Sequence, residues 1–351
     1  MIVPILVNGP TGAMSTKSYL TGMHLLPLGR NAPRLISVTS MRQRYTLQAV
    51  TKLMRQRGIR HERWTYEQLF TRRRLPRAVY ILTDFDRVHP WYLEVASLIR
   101  QKLQNEGLVV LNDPRKYMPR DAFLRRLYNE GINSFNCWRP VAGEWPDRFP
   151  VFLRTIHAHR GVISDLLNDR HETEAAMEHA LQHGKAMSDL MFIEYCAQAQ
   201  PDGGHFRKFA SYAVNNKIIR AATVSESRWI AKLGERGVAT KSEYEQDHAE
   251  QQSDPHHDVM QRVFELAGME FGRIDFGLVD GKPEIYELNT NPVIKWPKKH
   301  ESKRRLDTLK IMRESVIQAL ADMNYPDPKG HVDLSDIWHR WNKGARGFEQ
   351  P

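Results

Sequence analysis

Cysteine is nearly absent: the 351 residues include two, Cys137 and Cys196, in no CxxC arrangement. That excludes a disulfide framework and a thiolate zinc site, and it fits a reducing compartment, so a cytoplasmic location is expected. No stretch approaches the roughly 18 apolar residues of a membrane span. The opening MIVPILVNGP carries an apolar run without a basic leader or a small-residue cleavage site, so neither anchor nor signal peptide is expected. An internal repeat is also missing. So is a phosphate loop ending in Gly-Lys-Ser/Thr: Asn8-Gly-Pro-Thr-Gly12 lacks that ending and reads as a strand-to-helix turn.

Acidic residues are in deficit, 41 Asp and Glu against 51 Lys and Arg, for a formal charge of +10. Such a balance admits an acidic or polyanionic partner. The basic residues are dispersed apart from the run from Lys295 to Arg305, and no groove-reading motif is present. That run reads first as a solvated loop, and nucleic acid is not the expected partner.

From residue 1 to 112, short apolar runs at 2–7, 35–38, 79–83 and 108–111 alternate with amphipathic stretches at 45–57 and 91–105. This alternation predicts a small parallel α/β layer. A turn-rich linker at 112–119 leads to a helix with Phe123, Leu124, Leu127 and Tyr128 at helical spacing, closed by Gly131. Strands are expected at 149–154 and 191–196, and a hairpin at 206–214 and 217–224 around Asn215-Asn216. The polar stretch 241–257 is expected to be a mobile or poorly ordered loop. Leu306, Leu309, Met312, Val316, Leu320 and Met323 mark one helix face, and the tail from Tyr325 looks peripheral.

The most informative segment runs from Phe271 to Pro292. Ile274, Phe276 and Leu278 alternate with Asp275, Gly277 and Val279, and beyond an Asp-Gly turn Ile285, Glu287 and Asn289 alternate with Tyr286 and Leu288. A three-residue loop, Asp280-Gly281-Lys282, would set Val279 against Pro283 and Asp275 opposite Glu287, whereas a two-residue loop would separate the two carboxylates. Magnesium is usually held by one or two carboxylates plus substrate phosphates, and the oxygen ligands of Asp275, Glu287 and Asn289 suit it.

This hairpin resembles the metal-binding hairpin of the ATP-grasp superfamily, an Asp on one strand and Glu-x-Asn on the next. The order of elements upstream is similar as well, so the resemblance covers about residues 112 to 324. It implies an ATP-grasp core with an N-terminal Rossmann-like α/β domain: residues 1–112, then a lid subdomain at 113–195, a catalytic subdomain at 196–324 and a peripheral tail at 325–351. It further implies ATP and Mg2+, with Asp275, Glu287 and Asn289 as metal ligands. The phosphate-binding basic residues correspond to Arg120 and Arg154, where the family usually has lysines, so their geometry departs from the pattern. The loop His157-Ala-His-Arg-Gly161 stands where a Gly-rich loop covers the phosphates; with its single Gly it either holds phosphates through Arg160 and protonated His or is a β-turn. Glu194, Tyr195 and Cys196 take the adenine hinge, Asp202 the ribose, and Arg207 the transferred phosphoryl group, assisted by Arg220.

The activity so implied is a ligase that joins a small-molecule or peptide carboxylate to an amine through an acyl phosphate. The two Arg-for-Lys departures and the Gly-poor loop leave an alternative, a catalytically weak ATP-binding regulatory or scaffold protein. Two rival signals stand outside this reading. Asp84-Phe-Asp86 looks like the metal motif of nucleotide-sugar transferases but serves as well for a turn. His179 and His183 share a helix face at ligand spacing without a third ligand, and read as exposed helix histidines.

Overall fold

The structure, a computed structural model, describes residues 28–29, 31–157, 161–201, 203–294, 297, 299–339 and 341. The expected strand at 2–7, the turn at 8–12, Arg160, Asp202, and Lys295, Trp296 and Lys298 of the basic run lie outside them. No helix among the described residues is long and apolar enough to cross a membrane.

The chain first runs β1 (Arg34–Thr39), α1 (Gln48–Gln56), β2 (Arg60–Thr65), α2 (Tyr66–Phe70), β3 (Arg74–Pro76), β4 (Val79–Leu82), α3 (Pro90–Asn105) and β5 (Val110–Leu111). The order β2-β1-β4-β5 makes a parallel sheet, as the alternation of apolar runs and helical stretches predicts. Leu35, Ile36, Val38, Val79, Tyr80, Ile81 and Leu82 are all buried, the mark of a sheet covered on both faces. β2 was not foreseen, because its sequence RHERWT is charged. It lies at the sheet's edge, where charged side chains are tolerated.

Next come α4 (Arg120–Asn129), β6 (Cys137–Trp138), β7 (Val151–Thr155), α5 (Arg170–Gln182) and β8 (Leu190–Glu194). Gly131 follows α4 with φ 67°, the left-handed geometry that ends a helix there. β8 is the centre of an antiparallel β6-β8-β7 sheet, and α5 packs on it through Met177 and Ala180.

The remaining elements are β9 (Phe206–Val214), β10 (Lys217–Arg220), β11 (Val224–Glu226), α6 (Lys241–Ser253), α7 (His257–Ala267), β12 (Phe271–Val279), β13 (Lys282–Asn289), α8 (Lys303–Ala321) and β14 (His331–Asp333). The sheet order is β10-β9-β12-β13, with β11 also on β9. The hairpin at Asn215-Asn216 forms as expected, both residues at positive φ.

Two expectations are overturned. Residues 241–257 are not a loop: they hold α6 and the start of α7. Thr240 and Glu243 form a reciprocal capping box, and Asp247 is buried, accepting from Thr223 and Arg305. Tertiary ion pairing and capping thus stabilise a helix that has no apolar stripe. The tail is not merely peripheral either. β14 pairs with β3, Val332 and Leu334 are buried, and the ring of Trp341 lies 4.7 Å from that of Phe70.

The hairpin register needs a correction with an instructive cause. Val279 pairs with Lys282, so the loop is the two residues Asp280 and Gly281, at φ 49° and 75°. Asp275 nevertheless pairs with Glu287, because a bulge between Asp275 and Phe276 leaves Tyr286 as an extra residue on β13. The bulge restores the alignment that the tighter turn would have broken.

Candidate functional site

The β6-β8-β7 and β10-β9-β12-β13 sheets line a cleft of about 320 Å³. On β12 and β13, Ile274 and Phe276 are buried in the core while Arg273, Asp275, Glu287 and Asn289 line the cleft. Period-2 alternation thus delivers the charged row to one face. Arg154 enters from β7, and Arg207 and Lys208 from β9. The other wall is apolar and aromatic, with Phe135, Phe152, Ile193, Trp229, Leu278 and Tyr286. Trp229 leans on Phe152 and Tyr195, with ring centres 4.9 and 5.5 Å away.

Each carboxylate in the cleft faces cations. Asp275 takes a bidentate contact from Arg273, at 2.7 and 3.0 Å, and Lys208 Nζ stands 3.4 Å from its Oδ2. Burial acts to lower the Arg273 pKa, but the Asp275 charge outweighs it and raises the guanidinium well above its usual range. Glu287 accepts from Arg120 at 2.8 Å, and Arg154 Nη2 lies 4.0 Å from its other oxygen. Arg120 also donates to the carbonyls of Thr155 and Ile156, so the first residue of α4 clasps the end of β7 to the hairpin. Arg154 is pulled down to about 10 by burial and then by the neighbouring Arg120 charge, with Glu287 opposing. Its Nε has no hydrogen-bond partner. Four cations thus crowd two carboxylates, and the cleft gains from a multiply charged anion.

The end of the cleft at Glu194, Tyr195 and Cys196 is built by backbone. Tyr195 N donates to the Pro150 carbonyl at 2.8 Å, and the hydroxyl of Tyr286 donates to the Cys196 carbonyl at 2.7 Å. The bulge residue therefore ties the end of β8 to the hairpin. Gly277 is required for this, since a Cβ there would stand 2.1 Å from the Tyr286 oxygen. The Glu194 carboxylate accepts from Asn136 N at 3.0 Å and pairs with Arg148 at 2.7 Å. Burial pushes the Cys196 thiol up to about 11, which leaves it protonated and not a nucleophile.

Of the residues singled out in the sequence, Arg154, Glu194, Tyr195, Cys196, Arg207, Asp275, Glu287 and Asn289 line one cleft. Arg120 reaches it through Glu287. Arg207 is steadied from α6, its Nε 3.4 Å from Glu243 and its Nη1 3.3 Å from Gln246. Arg220 does not line the cleft: it is buried behind β10, bonded to Glu250 and 3.7 Å from Asp247. Arg160 and Asp202 lie outside the described residues. Arg273, Lys208, Trp229 and Lys232 line the cleft and were not anticipated. Arg273 had a readable signal, two residues before Asp275 on the same strand face.

Asp84 is fully buried and accepts from Thr39, Ser40 and Arg87, so it holds the first sheet's edge rather than an open metal site. Among the described residues no three His, Cys, Asp or Glu side chains converge on a metal position. Two carboxylates and one amide do meet, and that suits magnesium, which draws its other ligands from water and phosphate. The Asn289 amide nitrogen is buried without a partner, and flipping the amide turns its oxygen toward the same space.

No family model matches the sequence, and no curated protein does. Among solved structures the chain is similar to a D-alanine–D-alanine ligase from Bacillus anthracis complexed with ATP, at 14% identity and TM-score 0.43, over 82% of this chain and 98% of that one. It is similar to the ATP-grasp ligase PsnB complexed with a minimal precursor, at 13% and 0.48, over 80% and 99%. A RimK domain ATP-grasp protein from Sphaerobacter thermophilus gives 14% and 0.44, over 81% and 99%. These values describe a likeness of chain path, and what the cleft does has to be read from its own residues.

Proposed function

We propose that this chain is an ATP- and magnesium-dependent ligase of the ATP-grasp kind, joining a carboxylate to an amine and releasing ADP and phosphate. The observation that carries the reading is the convergence of Asp275, Glu287 and Asn289 with Arg154, Arg207 and Lys208 in one cleft whose far wall is aromatic. The aromatic wall and the hinge at Glu194, Tyr195 and Cys196 suit a flat base, and the cationic floor suits the phosphates. The division of the chain at residues 112, 195 and 324 belongs to the same proposal, with ATP between the lid and catalytic subdomains.

In this mechanism a substrate carboxylate oxygen attacks the γ-phosphorus, the bond to ADP breaks, and the acyl phosphate gives up phosphate to an attacking amine. Arg154 holds phosphate oxygens. Arg207, fixed by Glu243 and Gln246, meets the charge that develops on the transferred group. Arg273 and Lys208 orient Asp275, and Arg120 orients Glu287. Asp275, Glu287 and Asn289 would hold magnesium, which neutralises phosphate charge when bound. The chain's own contribution is positioning and electrostatics.

One observation favours a second reading, a catalytically weak ATP-binding regulatory or scaffold protein. Both carboxylates are already ion-paired, and they must change partners to ligate a metal. Release of ADP and phosphate by the purified chain with magnesium, against a panel of carboxylates and amines, separates the two. ATP binding without turnover on any pair would sink the ligase and leave the scaffold.

A further inference from the structure

The carboxyl edge of the parallel sheet carries a pair of arginines that the cleft does not use. Arg44 lies in the loop after β1 and Arg63 lies on β2. Arg44 Nη2 donates to the Arg63 carbonyl at 3.2 Å, and Arg63 Nη1 donates to the Arg44 carbonyl at 2.5 Å. Each guanidinium is thus pinned by one N–H while the rest of its five donors stay available. Among the described residues neither is paired with a carboxylate, in a protein where most arginines of the cleft region are. Each guanidinium is held on the other residue's backbone, so the two like charges repel, and burial followed by the Arg44 charge lowers the pKa of Arg63. An anion between them would remove that repulsion.

The position suits a substrate. The strand order β2-β1-β4-β5 reverses direction between β1 and β4, where open parallel sheets bind ligands beyond the carboxyl ends of strands; Arg44 follows β1 at that reversal, and Arg63 lies one strand out on β2, across from Ser37. The metal hairpin leaves its sheet at the same edge. Thr46, two residues after Arg44, donates through its hydroxyl to the Asn291 side chain at 2.8 Å, and Ile294 N donates to the Thr46 carbonyl at 3.0 Å. Asn291 in turn donates to Thr39 at the end of β1. Asn291 is two residues beyond Asn289, so the path from Arg44 to the metal hairpin is short, on the order of 20 Å at most along the chain and its hydrogen bonds.

We propose that Arg44 and Arg63 bind an anionic group, a carboxylate or a phosphate, on the ligase's substrate, away from the end that reacts. The identification as substrate rests on the ligase reading; the anion site itself does not. Guanidinium forks match both anions bidentately, so the two sources are told apart by experiment.

The test is calorimetric titration of the full chain, free of nucleotide, with pentaglutamate in one arm and inorganic phosphate in the other. Binding of either probe is expected, and the probe that binds names the source. Replacing both residues, as Arg44→Gln with Arg63→Gln, should weaken it at least about tenfold, the scale of a lost charge-assisted hydrogen bond. The doubly substituted Arg44→Lys, Arg63→Lys chain keeps the charge and should retain part of the affinity, which separates recognition from misfolding. Arg262→Gln, exposed on α7, serves as the control that leaves binding unchanged. Undiminished binding in the double glutamine chain, or no binding of either probe to the wild type, overturns the site. In the ADP-release assay the same double change should raise the KM of an acidic substrate at least about tenfold over a neutral one. Arginine-dependent titration in a chain without ADP release keeps the anion site and removes the ligase. ADP release with equal KM shifts for acidic and neutral substrates does the reverse.

Discussion

Around the cleft, Arg120, Arg154, Arg273 and Lys208 face Asp275 and Glu287, so cations outnumber carboxylates. Behind β10, Arg220 and Arg305 meet Asp247 and Glu250 in equal number. Both clusters set basic side chains against Asp and Glu, and both draw on the β10-β9-β12-β13 sheet. The first borders an open space and carries unbalanced charge. The second is closed in by α6 and α8, its Asp247 and Arg220 side chains 3% and 1% exposed. Imbalance beside a cavity invites a ligand, whereas balance inside the protein fastens helices to a sheet.

The largest effect that would break this contrast is on stability. Asp247→Ala leaves Arg220 and Arg305 buried without their shared partner and is expected to cost about 3 to 5 kcal/mol in chemical denaturation. Glu287→Gln should cost clearly less. Equal losses would mean that the cleft cluster is also mere fastening.

Arg207 stands at the boundary, on the cleft but held by Glu243 of α6. Arg207→Ala is expected to lower kcat by about 3 kcal/mol of activation free energy with a smaller change in KM for ATP. A rise in KM alone would move Arg207 from the transition state to ground-state binding. Glu287→Gln should remove at least about 2 kcal/mol of transition-state stabilisation from magnesium-dependent turnover. Wild-type turnover in that variant would take Glu287 out of the metal site and into a simple ion pair with Arg120.

A third buried polar site tests whether a buried histidine with no ion-pair partner leaves a pH signature. His61 sits between Ser37 and Thr51, each 3.0 Å away, and burial followed by the Arg63 charge lowers it to about 3. Its folded value lies below its unfolded value near 6.5, so on acidification the unfolded chain takes the proton first. Its contribution is complete above that value and is lost as pH falls from there toward 3, with about 2 kcal/mol gone at pH 5. Denaturation at pH 7 and pH 5 should show His61→Gln losing less than the wild type by about that amount. Identical losses would discard His61 as the source.

What could be read from residues alone followed apolar periodicity and the hairpin. Leu309, Met312, Val316 and Leu320 announced α8, and Asp275 with Glu-x-Asn announced the charged row. The misses have physical causes. α6 has no apolar stripe and is held by Asp247 and its capping box, of which only Thr240-x-x-Glu243 was visible in sequence. The hairpin's bulge could not be inferred from alternation, because a two-residue turn plus one extra residue gives the same facing pair as a longer turn. Arg220 and Arg207 look alike on neighbouring strands, and only the tertiary positions of α6 and α8 send one to the closed cluster and the other to the cleft.

The smallest effect is the sharpest probe of charge imbalance. Arg154 lies beside Arg120 with Glu287 4.0 Å away, and both burial and the like charge act against its ionised form. Phosphate oxygens in the cleft would relieve that penalty, so part of the binding free energy of ATP comes from stabilising a charge the protein holds at a disadvantage. Arg154→Ala removes the acceptor of that relief. KM for ATP is expected to rise about tenfold, or about 1.4 kcal/mol, with kcat little changed, because the contact is made equally in the ground and transition states. Arg154→Lys returns the charge without the fork and should recover part of the affinity. A fall in kcat at constant KM would exchange the roles of Arg154 and Arg207, and the imbalance around Glu287 would then act in the transition state rather than in binding.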